Sequence, residues 1–160
     1  MTTPRVILSL PNTRKSERFL PLVILLESLT RINEYHLRRG MAIGRPYPRL
    51  YETTVRYKEE APGREDWPDI PKIIANGWGD CEDLAAYLAA ERRVYDGVAA
   101  EPIIKWKWIP TKELLAAGYP RGKVPRDGIW LVHCLVRLPN GDIEDPSKVL
   151  GMGGEYLENI

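Results

Sequence analysis

Hydrophobic positions near the start of the chain predict one long amphipathic helix, from about residue 16 to residue 39. Leucine and isoleucine recur there at spacings of three and four, with polar residues between them. This spacing is typical of a helix with one buried face. Pro21 is expected in the first turn, where proline is tolerated, and Gly40 is expected to stop the helix. The apolar face is expected to contain Leu22, Leu25, Leu26, Leu29 and Ile32, and His36 lies on or near it as a packed or helix-end residue rather than a ligand.

Three further stretches have the patterns of strands. Arg5–Leu10 is a short apolar run that fits a strand or an extended arm. Pro102–Ile109 alternates, so that its two tryptophans share one face and its two lysines the other. Ile129–Leu138 is apolar on both faces and is expected to be the central strand, with Asp142–Asp145 returning beside it.

A tryptophan between two glycines precedes another helix, expected to begin at Cys81 and to end near Tyr95. Asp80 fits the N-cap position, and Asp83 adds negative charge in the first turn. A helix start is where a thiol ionises most easily, but the acidic neighbours Asp80, Glu82 and Asp83 oppose the thiolate, so a cationic partner is required. The alternative is a small buried cysteine that only packs. Shorter helices are predicted at Ile70–Ala75 and Thr111–Ala117.

Composition disfavours several classes of function but does not identify one. The chain has 160 residues, the size of one domain (1–160), and a net charge of +1, which does not favour nucleic acid or anionic membranes as partners. Two cysteines are too few for a disulfide framework and suit a reducing cytosol. The apolar run Phe19–Leu26 is too short to span a bilayer and lacks a signal-peptide cleavage site. A soluble protein that is not exported is therefore expected.

His133 stands inside the predicted central strand, where a buried imidazole needs a polar partner. The turn sequence Pro139-Asn140-Gly141 favours a three-residue hairpin loop with Gly141 at positive φ. In that register Leu138 faces Asp142, and Asp145 lies on the same face as His133, within reach of it. A two-residue loop would instead offer Glu144. Turn chemistry therefore selects Asp145 as the partner of His133.

The same alternation places Cys134 on the opposite face from His133. This weighs against a metal site that joins both of them to Cys81. A zinc site also requires three or four good ligands, and the sequence holds only two cysteines and two histidines. No metal and no cofactor are expected.

A thiol at a helix start, an imidazole on a strand and an orienting carboxylate are the parts of acyl transfer through a thioester. Their sequence context, Gly79-Asp80-Cys81-Glu82-Asp83-Leu84-Ala85, then His133, then Asp145-Pro146-Ser147, resembles the transglutaminase-like superfamily of papain-like cysteine enzymes. The resemblance covers about residues 70 to 150. The motif sequences and the size of the chain are most similar to those of small members encoded in phage and prophage genomes. It departs at Cys134-Leu135, where family members often have Ala-Trp.

The resemblance implies an α+β fold in which the nucleophile-bearing helix packs on an antiparallel sheet, with the N-terminal helix added. It implies Cys81 as nucleophile, His133 as base and Asp145 as orienting acid, acting on a peptide or protein substrate. The protein would then lie in the bacterial host cytoplasm or in the virion. The rival interpretation is a binding or structural module that has the fold without turnover.

Finer site assignments stay open at the level of the sequence. Asn76 and Trp78 are candidate oxyanion donors, with a helix cap and a core residue as their structural alternatives. Trp106 and Trp108 are candidates for a substrate groove, although aromatic residues at strand spacing are more often core. If the helix start and His133 outweigh the nearby acids, Cys81 and His133 should form a thiolate–imidazolium pair near neutral pH.

Overall fold

Helices and short sheets alternate along the chain in the computed structural model, which describes residues 19–60 and 66–153. The architecture is α+β. The predicted N-terminal strand or arm at Arg5–Leu10 lies outside the described residues. The α-helices in the described ranges are α1 (Leu20–Ala42), α2 (Ile70–Asn76), α3 (Cys81–Tyr95), α4 (Thr111–Ala116) and α5 (Pro146–Val149). The strands are β1 (Arg56–Tyr57), β2 (Trp78–Gly79), β3 (Glu101–Ile109), β4 (Ile129–Arg137) and β5 (Ile143–Glu144).

The strands form two small sheets. Strand β4 is central in an antiparallel sheet of order β3-β4-β5, as its apolar sequence predicted. Strands β1 and β2 form a separate parallel pair in which Tyr57 lies opposite Gly79. This pair holds the chain that leads into α3, so the second sheet positions the start of that helix.

Helix α3 is the centre of the core. Each residue from Glu82 to Glu91 is buried, and the helix packs against α1 on one side and the β3-β4-β5 sheet on the other. This confirms the predicted helix from Cys81 to Tyr95, whose C-cap is Asp96 and which is followed by Gly97 at φ 66°. The start of a helix packed this deeply is held in a fixed place by the surrounding core.

Helix α1 differs from its prediction at its end and on part of its surface. It begins with Pro21 in its first turn, buries Leu26 and Leu29, and leaves Leu22 half-buried. The prediction that Ile32 is part of the buried face is wrong, because this side chain is 48% exposed. His36 is half-buried and hydrogen-bonds to Asp69 through Nε2 at 2.9 Å, which agrees with a packed role.

Gly40 does not stop α1, which continues to Ala42. The chain turns back immediately after the helix, and a Cβ at position 40 would lie 2.8 Å from the Arg45 carbonyl oxygen. The glycine is therefore needed for close packing within the helix, and the break comes at Gly44, where φ is +68°.

The hairpin between β4 and β5 has the predicted register. Val136 pairs with Glu144 and Arg137 with Ile143, so paired positions sum to 280 as the three-residue loop requires. The Leu138 amide donates to the Asp142 carbonyl at 2.9 Å, and Gly141 has φ +93°. Among the described residues, no helix combines the length and the apolar character needed to cross a membrane.

Candidate active site

Cys81 occupies the first position of α3, where a capping box holds the backbone. The Asp80 amide donates to Asp83 Oδ2 at 3.2 Å, and the Asp80 side chain accepts from the Asp83 amide in return. Gly79 allows this tight entry, since a Cβ there would lie 3.0 Å from the Asp83 Cβ. The thiol itself is half-buried and lies beside the buried start of the helix.

His133 and Asp145 form a direct hydrogen bond. Nε2 of the buried imidazole lies 2.9 Å from Asp145 Oδ2. The other carboxylate oxygen, Oδ1, accepts from the Lys148 amide at 3.1 Å and caps α5. Although burial raises the pKa of Asp145, these two hydrogen bonds lower it below its usual value. The carboxylate is thus ionised and fixed in orientation, and it fixes the imidazole in turn.

The third side chain of the predicted triad meets this pair. Cys81 interacts electrostatically with His133, since the imidazole lowers the pKa of the thiol and the thiol raises the pKa of the imidazole. Because Asp145 occupies Nε2, Nδ1 is the ring nitrogen left for the thiol. Burial lowers the pKa of His133, but the hydrogen bonds to Asp145 and Cys81 outweigh burial and raise the pKa to about 9.

Cys134 also lies at Cys81, and their sulfur atoms are within 4.8 Å of each other. The interaction with Cys134 raises the pKa of the Cys81 thiol. Strand alternation was expected to keep Cys134 and His133 from joining Cys81 in one metal site, and the cluster of possible ligand atoms at Cys81 contains Cys134 and Glu82 but not His133.

Acidic side chains crowd the same helix start. The Cys81 thiol donates to Glu82 Oε2 at 3.4 Å, and Glu82 is 5% exposed. Burial raises the pKa values of both Asp80 and Glu82, and for Glu82 the neighbouring Cys81 adds to the effect. Burial thus works against the charged form of both carboxyl groups, most strongly for Glu82, whose pKa is raised well above its usual value.

The same surroundings decide the charge of Cys81. The hydrogen bond to Cys134, burial and the Asp80 carboxyl raise the pKa of Cys81 well above its usual value, against the lowering effect of His133. A thiolate–imidazolium pair at neutral pH was expected only if the helix start and His133 prevailed. In this geometry the groups that raise the pKa of Cys81 outweigh the helix start and His133, and the resting site holds a neutral thiol.

The two predicted oxyanion donors lie on the elements that lead into α3. Asn76 is the last residue of α2 and is followed by Gly77, which caps that helix at φ 74°. Trp78 is half-buried in β2 and lies under the Lys58 ammonium group, 4.8 Å from the ring centroid. Neither side chain hydrogen-bonds to Cys81, His133 or Asp145 in the described residues.

The two predicted groove residues are part of an aromatic cluster. Trp106 stacks on Phe19 at 5.0 Å, and Trp108 meets Trp130 edge-on at 5.3 Å. Register places both tryptophans on the Cys134 face of β3 and β4, and Phe19, which precedes α1, is 1% exposed. Their packing against Phe19 and Trp130 agrees with the core alternative, and it places neither of them beside His133.

Two neighbours of the nucleophile, Cys134 and Tyr57, were not predicted from the sequence, whereas Glu82 was predicted as an acidic neighbour of the thiol. Strand β1 sets Tyr57 opposite Gly79, two residues before Cys81, and burial together with the charge of Cys81 raises the pKa of its phenol. The phenol therefore keeps its proton. No local sequence signal marks Tyr57, because the parallel pairing of β1 with β2 is a long-range feature.

Comparison with protein-family models, with curated proteins and with solved structures finds no match to this chain. The resemblance to the transglutaminase-like superfamily thus rests on the quoted motifs. The contacts among Cys81, His133 and Asp145 are the basis for inferring what the protein does.

Proposed function

We propose that the protein is a thiol-dependent acyl-transfer enzyme of the transglutaminase-like type, acting on a peptide or amide bond. One observation carries the proposal: His133 is bonded to Asp145 at 2.9 Å and is at the same time in contact with Cys81 at a helix start. These are the relations that a nucleophile, a base and an orienting acid require. The antiparallel sheet packed on α3 supports a papain-like core.

The chemistry follows from the order of the contacts. Because the pKa of His133 is about 9, the reactive form at neutral pH is the fraction of the protein in which the imidazole is neutral. In that form the Cys81 sulfur attacks the carbonyl carbon, its proton passes to the imidazole, and a tetrahedral intermediate forms. His133 then protonates the departing amine, which leaves a thioester on Cys81. Water or a second amine attacks the thioester, so that the product is a carboxylic acid or a new amide and the thiol is restored.

The negative oxygen of the intermediate needs hydrogen-bond donors. The Cys81 backbone amide at the free end of α3 supplies one. The protonated phenol of Tyr57 is a second candidate because it lies across from Gly79 and is coupled to the charge of Cys81. Asn76 and Trp78, proposed from sequence proximity alone, have no such contact.

One observation favours a second candidate function, a transglutaminase-like binding or structural module without turnover, such as a phage virion or morphogenesis component. The pKa of Cys81 is raised well above its usual value by Cys134, burial and Asp80. A nucleophile that remains protonated at neutral pH is poorly activated. The two functions therefore differ in one measurable property, the reactivity of this thiol.

The test uses an activated aryl ester of a short peptide, with mass spectrometry to locate the acyl group. Acylation at Cys81 followed by turnover is expected for the parent protein and for Cys134→Ser, whereas Cys81→Ser should show neither. His133→Gln should reduce the acylation rate at least tenfold. Slow labelling of Cys81 and Cys134 alike, unchanged in His133→Gln, would reject the enzyme in favour of the module.

A further inference from the structure

Two thiols and a carboxylate converge at the start of α3. The sulfur atoms of Cys81 and Cys134 and one carboxylate oxygen of Glu82 all lie within 4.8 Å of one another. They come from two different elements, since Cys81 and Glu82 begin α3 while Cys134 lies on β4. The core packing between α3 and the sheet holds them together.

Two carboxyl groups at this cluster each have a buried oxygen atom without a hydrogen-bond partner. The Glu82 side chain is buried, with 5% of its surface exposed, and its Oε1 atom accepts no hydrogen bond. Neither Asp80 nor Glu82 forms an ion pair with a lysine or arginine among the described residues, and Asp80 Oδ1 is likewise buried without a hydrogen bond. Leaving a buried acceptor unsatisfied costs free energy, which a bound cation would recover.

The donor atoms decide which cation fits. Thiolates select soft or borderline metals over magnesium and calcium, and zinc combines thiolate with carboxylate ligands. Zinc–ligand bonds of about 2.0–2.3 Å place tetrahedral ligands roughly 3.3–3.8 Å apart. The 3.4 Å between Cys81 Sγ and Glu82 Oε2 lies within this range, and the 4.8 Å limit requires only a small side-chain adjustment.

We propose that Cys81, Cys134 and Glu82 bind one zinc ion, with water in the fourth position. Binding releases the two thiol protons and the proton of the Glu82 carboxyl group to solvent, because the ligands coordinate as two thiolates and a carboxylate. The sequence led us to expect no metal, because strand alternation opposed a site that joins Cys134 and His133 to Cys81 and because only two cysteines and two histidines are present. The site proposed here does not use His133 and takes Glu82 as its third ligand.

The consequence for activity rests on the proposed function. Zinc would occupy the sulfur atom that attacks the substrate, so the loaded protein would be inactive and removal of the metal would restore the nucleophile. Cys134, whose contact with Cys81 keeps that thiol protonated, would then also be a zinc ligand, and zinc would control the activity of the site.

Cobalt(II) is the probe for binding, because thiolate coordination to it produces an intense charge-transfer absorption. The protein is kept reduced with a phosphine, so that a Cys81–Cys134 disulfide does not remove both ligands. We expect one equivalent of cobalt to bind with this absorption and to be displaced by zinc. Competition with a chromophoric chelator then gives the zinc affinity.

Variants test the ligands without depending on catalysis. Cys134→Ala should weaken zinc binding at least tenfold and reduce the charge-transfer absorption. Glu82→Gln should also weaken it at least tenfold, and because it replaces a buried carboxyl by a neutral group of the same shape, the variant should stay folded. The matched control is Glu52→Gln, which alters an exposed carboxylate in the Leu50–Glu52 turn and should bind zinc like the parent.

Zinc should also protect Cys81 of the parent protein from iodoacetamide, and the protection should be lost in Cys134→Ala. Absence of the charge-transfer absorption, or equal zinc affinity in the parent and Cys134→Ala, would overturn the proposal. The aryl-ester assay separates this outcome from the proposed function. Metal binding without acylation retains the zinc site and rejects the enzyme, whereas acylation without metal binding does the reverse.

Discussion

At the scale of single residues, the Cys81 thiol is subject to opposing influences that the sequence already contained. His133 favours the thiolate, while the hydrogen bond to Cys134, burial and Asp80 favour the thiol. A helix N-terminus contributes only about 0.3–1 kcal/mol to a nearby negative charge. The buried acids next to it are enough to cancel that term, so the neighbours of Cys81 rather than its place on the helix set its charge.

We therefore predict that Cys81 reacts slowly with iodoacetamide at neutral pH and that the rate rises only in alkaline solution. The pKa of Cys81 is raised well above 9.0, so the midpoint of the rate profile should lie above that of a free cysteine. Cys134→Ala removes the largest cause of this shift and should move the profile to lower pH. The measurement is the alkylation rate against pH, with the modified residue identified by mass spectrometry.

His133→Ala tests the influence that opposes Cys134, because His133 is the group that lowers the pKa of Cys81. Its profile should move to higher pH than that of the parent. A parent midpoint below neutral pH would show that the ion pair forms after all, and a Cys134→Ala profile that overlays the parent would show that Cys134 has no influence.

The sequence was informative about the triad because turn chemistry and strand alternation are local rules. Pro139-Asn140-Gly141 determined the loop length, and the loop length determined that Asp145 shares a face with His133. The same rule did not predict that Cys134 lies at the thiol. The position of Cys81 relative to β4 depends on how α3 packs against the sheet, which is a long-range feature that no local pattern contains.

At the scale of elements, helices α1 and α3 are joined by a partly buried ionic cluster around Arg93. Its guanidinium donates to Glu27 at 2.9 Å and to Glu34 at 2.8 Å, both on α1, and Nε donates to the Ala100 carbonyl at 2.7 Å. These bonds lower the pKa of Glu27 below its usual value. The cluster fixes α1 against the helix that bears the nucleophile.

Arg93→Met should therefore destabilise the fold by about 2–4 kcal/mol, at or below the usual cost of breaking a buried pair, because Arg31 and Arg38 still approach Glu34. Arg31→Met is the matched control, since its side chain is 68% exposed and it also bonds to Glu27. Its cost should be about 0–1 kcal/mol. Urea unfolding of both variants measures the difference, and equal midpoints would show that the cluster does not hold the helices together.

The limits of these elements were predictable where they depend on local caps and not where they depend on distant packing. Asp80, with the glycine before it, correctly indicated the start of α3, and Asp96-Gly97 its end. Gly40 looked like a stop, but its role is to admit the Arg45 carbonyl oxygen, which the chain brings back after the helix. The exposure of Ile32 has the same origin, since only the packing of α1 on its neighbours determines the width of its buried face.

At the scale of the whole molecule, the His133–Asp145 pair links folding to pH. A histidine whose pKa is raised on folding stabilises the protein fully below its unfolded pKa and loses that contribution as pH rises through its folded pKa. For His133 these limits are 6.5 and about 9. Asp145 acts in the opposite direction, because its lowered pKa gives a contribution that is lost only in acid. The pair should therefore contribute most between the ordinary carboxyl range and pH 6.5.

We predict that the free energy of unfolding falls between pH 6.5 and about 9, and that His133→Gln removes much of this fall. A shift of this size corresponds to about 3 kcal/mol at most. The measurement is the urea midpoint at pH values on both sides of the window. His36→Gln is the matched control, because it removes the other histidine, which pairs with Asp69 at 2.9 Å, and leaves His133 in place. If His133→Gln retains the full alkaline fall, the imidazole is not held charged by Asp145, and the orienting role given to that carboxylate has to be abandoned.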